Sequence, residues 1–212
     1  MYRLIEKYAA TIVKTITQDY VRKYDWLLEN PDKALGTEYQ GKYRDFWAMN
    51  AAFPTDDFCY AYFSTLDNAL NKQKNLPSLT DNVNALYPFT KREGKNPKKP
   101  FPPFSFATKL LHMTNTALPV YDTRVVGFYF FREPTLTKRR GVAGQIADYV
   151  KLHDFLIEEY DRILKQGLLS TAIQEFESRL NLRRFSKQKI IDSLIWTFAS
   201  SGTVQRKEVA YE

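Results

Sequence analysis

Apolar residues recur along this chain at the three- and four-residue spacing of helices, not in the alternation of strands. Ile5, Tyr8, Ile12, Ile16 and Tyr20, joined by Val13, Tyr24 and Leu27, predict one long amphipathic helix over 2–29. Asn30-Pro31 stops it, because a residue before proline is pushed out of the α region. A helix over 38–52 would carry Tyr39, Tyr43, Phe46 and Trp47 on one face. Thr55 can cap the next, with Asp56 and Asp57 favouring its positive end, and that helix runs to about Lys74. Leu76-Pro77-Ser78 breaks the pattern, and a shorter helix follows over 78–87. The remaining periodic stretches are 105–114, a helix capped by Asp122 and reaching about Phe131, then 142–166 and 169–181. A last helix is capped by Ser186 and turns Ile190, Ile191, Leu194 and Ile195 inward. The β-branched and aromatic run over 125–131 also suits a strand. Residues 203–212 read as a frayed tail. The expected fold class is all-α: a compact multi-helix protein, one domain over 1–212 or two interleaved lobes around a cleft.

Composition narrows the function more than the fold. The 212 residues carry 31 Lys and Arg against 24 Asp and Glu, a net charge of +7, which favours anionic partners. Fifteen Phe and 14 Tyr are a heavy load that fills the core and its wet edges on the simplest reading, with some surplus able to stack on bases or line a pocket. The single cysteine, Cys59, excludes an internal disulfide and a four-cysteine iron–sulfur site; its apolar neighbours predict a buried small hydrophobe. His112 and His153 are far apart in sequence, so no structural zinc site is expected. Charges early in the chain and the lack of a long apolar run argue against a signal peptide and a membrane span, and a cytoplasmic location is expected. Walker A, Gly-x-Gly-x-x-Gly, Gly-x-Ser-x-Gly and Glu-x-x-His patterns are all missing from the sequence. No cofactor is expected.

Residues 91–103 differ from their surroundings. Five of the thirteen are basic, one is acidic and four are proline. Proline fixes φ and removes donors, so this is a basic, extended loop, either a solvated connection or a contact for phosphates. Lys95, Lys98 and Lys99 are its candidates. Lys138, Arg139 and Arg140 form a second basic cluster, over the loop 135–141.

Residues 104–128 carry the most information. A short helix begins near Ser105 and keeps the small Ala107. A loop then ends in Leu118-Pro119-Val120-Tyr121, and Asp122 stands at the head of another helix with Thr123-Arg124-Val125. This segment resembles the active-site hairpin of the helix-hairpin-helix DNA glycosylases, the superfamily of endonuclease III, adenine glycosylase and the 8-oxoguanine glycosylases. The resemblance covers about 25 residues and implies that Asp122 matches the family's catalytic aspartate. It also implies that Ser105 lies near the position where lyase-competent members carry lysine, which points to base removal without a lysine Schiff base. Lys109, an exposed lysine on the simplest reading, would then hold DNA together with Ser105, Arg124 and the basic loops; its sharper alternative is an amine nucleophile. Phe101, Phe104 and Tyr121 would frame the flipped base.

Such an aspartate has a clear task. Breaking an N-glycosidic bond builds positive charge on the deoxyribose, and a carboxylate in water-poor surroundings stabilises it. The target base must first leave the stack for a pocket. The expected function is therefore a monofunctional DNA glycosylase acting on a modified base in duplex DNA. Two other readings stay open: a DNA-binding module of the same fold without chemistry, and a helical protein-interaction domain.

Overall fold

The computed structural model describes residues 1–52, 54–72, 77–91, 100–130 and 141–201. Among these residues all regular structure is helical, in eleven α-helices with a few short 3₁₀ and π turns. The all-α expectation holds, and the run after Asp122 is a helix, not a strand. No helix among the described residues is long and apolar enough to cross a membrane.

The N-terminal stretch is not one helix. It divides into α1 (Tyr2–Lys7), α2 (Ala9–Thr15) and α3 (Gln18–Glu29). The second break falls at Thr15-Ile16-Thr17, where hydroxyl side chains compete with the helical ladder. Thr15 donates its hydroxyl to the Ile12 carbonyl, and the Thr17 side chain accepts from the Tyr20 amide at 3.2 Å, capping α3. The periodicity still serves, because Ile5, Ile12, Val13, Ile16 and Val21 are all buried.

Next come α4 (Thr37–Phe46), α5 (Asp56–Asp67) and α6 (Leu79–Leu86). Helix α4 ends sooner than its apolar spacing suggests, because Ala48 turns the chain with a left-handed φ of 50°. Thr55 caps α5 as expected, and Ser78 with Asp81 forms a reciprocal capping box on α6. The remaining helices are α7 (Phe104–Thr114), α8 (Thr123–Phe130), α9 (Gly141–Gln166), α10 (Ser170–Arg179) and α11 (Lys187–Ser200). Gly167 closes α9 at φ 64°, a left-handed conformation that suits glycine, and the Leu168 amide donates back to the Ile163 carbonyl.

Apolar burial is organised in three clusters. One joins α1, α2, α8, α9, α10 and α11 through residues such as Ile5, Val125, Leu156, Phe176 and Leu194. A second joins α3 to α7 around Tyr24, Tyr43, Tyr62, Phe63 and Leu110. A third, around Phe104, Tyr121 and Val126, ties α6, α7, α8 and α9 together. Much of the tyrosine surplus lies here: Tyr24, Tyr39, Tyr43, Tyr62 and Tyr160 are fully buried. Cys59 is half-buried beside the Arg44 side chain, not the buried small hydrophobe expected.

Candidate active site

Four segments converge on a cavity of about 400 Å³, within the usual 300–1,000 Å³ range of small-ligand sites. The α2–α3 junction contributes Ile16, Thr17 and Tyr20; the end of α4 gives Phe46, Trp47 and Ala48. Helix α7 gives Lys109, the following loop gives Val120 and Asp122, and α11 gives Lys189, Asp192, Ser193 and Trp196.

Asp122 heads α8. Its Oδ1 accepts from the Arg124 amide at 2.8 Å, so the carboxylate caps the helix from one oxygen. The side chain is half-buried. Its loop is held from three directions. His112 Nδ1 donates to the Leu118 carbonyl at 2.6 Å, His153 Nε2 donates to the Pro119 carbonyl at 3.0 Å, and Ser186 donates to the Thr116 carbonyl at 2.5 Å. The carbonyl partners fix the tautomers. His112 carries its proton on Nδ1, so Nε2 accepts from the Tyr24 hydroxyl at 2.6 Å. Burial, helped by the nearby Lys189 charge, lowers the His112 pKa to about 3, and burial lowers that of His153 as well. Burial thus favours the neutral imidazoles that donate to the loop carbonyls.

Lys109 is not a surface lysine. It is 8% exposed, on the inner face of α7, and its Nζ donates to Ser105 Oγ at 2.7 Å one turn earlier. Burial lowers its pKa to about 8, with the Lys189 charge adding to the shift and Asp122 and Asp192 opposing it. Lys189 is more deeply buried, at 2% exposure, and behaves in the opposite way. Burial pulls its pKa down, but Asp192 and Tyr20 outweigh it and the pKa is raised. Its Nζ donates to Asp192 Oδ2 at 2.8 Å. The rings of Tyr20, Tyr24, Phe46 and Trp47 surround the ammonium, the closest being Trp47 at 4.5 Å.

The walls differ from those expected. Phe104 and Tyr121 are core residues: Phe104 stacks on Tyr149 at 4.3 Å and meets Tyr121 edge-on at 4.9 Å. Phe101 is exposed and lines a separate small hollow with Phe58, Phe89 and Phe106. The aromatic lining of the Asp122 cavity is instead Tyr20, Phe46, Trp47 and Trp196. Arg124 is exposed, packs over the Trp196 ring at 4.7 Å and donates to Ser200 Oγ at 2.9 Å. Lys95, Lys98, Lys99, Lys138, Arg139 and Arg140 lie outside the described residues.

Lys189, Asp192 and Trp196 were not singled out by sequence reasoning, although a signal was present. Lys189, Asp192, Ser193 and Trp196 follow the i, i+3, i+4, i+7 pattern inside a helix whose other face is Ile190, Ile191, Leu194 and Ile195. A polar stripe on so apolar a helix marks an inward-facing polar site.

Among the described residues no group of three His, Cys, Asp or Glu side chains is placed to hold a metal ion. Comparisons with family models, curated proteins and solved structures find no match to the chain.

Proposed function

We propose that this chain is a DNA N-glycosylase that receives an extruded, modified base in the cavity beside Asp122. One observation carries the reading: Asp122, from the segment that resembles the glycosylase hairpin, lines an aromatic-walled cavity together with the buried amine of Lys109. The cavity lies where the α3–α7 cluster meets the cluster built on α8 and α11, and in this reading those are the two lobes that hold the DNA between them. As the C1′–N bond breaks, its electron pair leaves with the base. The Asp122 carboxylate stabilises the positive charge left on the sugar, and water captures the cation at C1′. Arg124, exposed beside the rim, supplies a phosphate contact.

A second reading of the capture step is favoured by Lys109. The prediction of base removal without a Schiff base rested on serine at position 105. The Lys109 amine reaches that same place, 2.7 Å from Ser105 Oγ, and its pKa of about 8 leaves a usable fraction of free amine near neutral pH. Its addition to C1′, with loss of a proton and opening of the sugar ring, gives an imine to Lys109.

The test is abasic-site formation on duplexes carrying a panel of modified bases, with Asp122→Asn as the control. Asparagine keeps the helix cap but lacks the charge, so base release is expected to fall by about 100-fold or more. No release from any duplex, with salt-dependent DNA binding intact, would replace this reading with a non-catalytic DNA-binding module. No binding at all would leave a helical interaction protein.

A further inference from the structure

Lys189 is left unexplained by the chemistry at Asp122. Burying an ammonium is costly, and an apolar replacement for an ion pair of this kind is often as stable or more so. Yet the pair lies in the cavity wall instead of the core proper. Lys189 and Asp192 both line the space that Asp122 and Lys109 line. Only Asp192 Oδ2 accepts a short bond from the ammonium; its Oδ1 has the Tyr160 hydroxyl at a long 3.5 Å. Neighbouring groups hold the pair in place. Tyr20 hydrogen-bonds Ser193 Oγ at 3.2 Å, and Ser193 donates to the Lys189 carbonyl at 2.8 Å. The facing groups from other elements are Lys109 and His112 of α7, Tyr20 and Tyr24 of α3, Trp47 after α4, and Asp122.

We infer that Lys189 is the specificity-determining residue of this cavity, donating to the ring carbonyl of an oxo-bearing base and stabilising that base as it departs. The inference rests on the glycosylase reading above. When the C1′–N bond breaks, the electron pair passes to the base and the negative charge spreads onto its oxo oxygen. A fixed ammonium in a water-poor wall stabilises that charge, as Asp122 does the opposite charge on the sugar. Lys189 keeps its proton throughout; water adds to the sugar and loses its own proton to solvent. An amino-bearing base offers no such oxygen at that edge and must be protonated to leave. The four rings and Asp192 hold the ammonium in one position, which favours recognition of one acceptor.

Isothermal titration calorimetry of the full chain with two free bases, hypoxanthine and adenine, tests this without DNA. The two bases differ by oxo against amino at one ring carbon. Hypoxanthine is expected to bind at least about tenfold tighter, as one hydrogen bond to a charged group gives. Lys189→Gln removes that preference, so that the two bases bind alike. Equal binding of the two bases by the unaltered chain overturns the inference, whether or not the variant folds. So does a preference for hypoxanthine that survives Lys189→Gln, or no binding of hypoxanthine at millimolar concentration. A Lys189-dependent preference for hypoxanthine, with no base released from any duplex, upholds the recognition and rejects the excision.

Discussion

Lys109 and Lys189 open onto one cavity and are pushed in opposite directions from an ordinary lysine. Both are buried, so desolvation acts on both. The difference is the partner. Lys109 has a neutral serine hydroxyl, whereas Lys189 has the Asp192 carboxylate at 2.8 Å. In the proposed reading these opposite shifts divide the work, Lys109 serving as the amine and Lys189 as the fixed cation.

Borohydride trapping of the chain on DNA that contains abasic sites is expected to rise with pH through about 8, where the Lys109 amine loses its proton. Lys109→Met abolishes the trap. Its folded pKa lies below the ordinary value of 10.5, so the charged form is disfavoured on folding, and lysine here costs stability at every pH below about 8. Thermal unfolding at pH 7 should therefore show the methionine variant more stable, by about 1–2 kcal/mol. A trap with flat pH dependence would assign the amine to another residue.

The histidine clamp gives a second pH dependence. His112 has an ordinary pKa of 6.5 and a folded value of about 3. Its contribution is fully present above pH 6.5 and is lost as the pH falls toward 3. The expected slope from this group is about 1.4 kcal/mol per pH unit across that window. Urea unfolding at pH 7, 6, 5 and 4, compared with His112→Asn, measures it; equal slopes in the two proteins would contradict the assignment.

Asp192→Ala should destabilise the fold by about 3–5 kcal/mol, because it leaves the Lys189 ammonium buried without its counter-charge. Lys189→Met combined with Asp192→Leu should recover most of that loss. A double-mutant cycle through Lys189→Met, Asp192→Leu and the two combined, read by chemical denaturation, gives the coupling directly. If the double variant is as unstable as the single one, the pair stabilises the protein and is not simply tolerated in the wall.

Ala48 lines the cavity at φ 50°, where a Cβ is strained. Ala48→Gly should raise stability by up to about 1 kcal/mol, seen as a higher melting temperature, while Ala48→Val lowers it.

Helix positions were legible where caps and periodicity agreed. Thr55, Ser78 and Ser186 each start the helix expected of them, and Ile190, Ile191, Leu194 and Ile195 point inward. The apolar spacing of the N-terminal stretch predicts one helix because it continues through the Thr15-Ile16-Thr17 break; the buried face runs on while the backbone turns. The site was legible only within one segment. Asp122 and Lys109 are 13 positions apart in sequence and come from adjacent elements. The other walls come from α2–α4 and α11, and no local pattern brings Trp47 near Lys189. Phe104 and Tyr121 share the 104–128 segment with Asp122, and Tyr121 adjoins it, yet neither ring lines the cavity. A residue next to a helix cap faces away from it as readily as toward it, and here both rings face α9.

The chain has three tryptophans, and two of them, Trp47 and Trp196, stand in the cavity wall. One indole lies over the Lys189 ammonium and the other under the Arg124 guanidinium. A planar guest entering beside these indoles would alter the polarity around a fluorophore. The protein thus contains its own optical reporter of occupancy, with Trp26, packed against Tyr39 and Lys42 away from the site, as the internal reference.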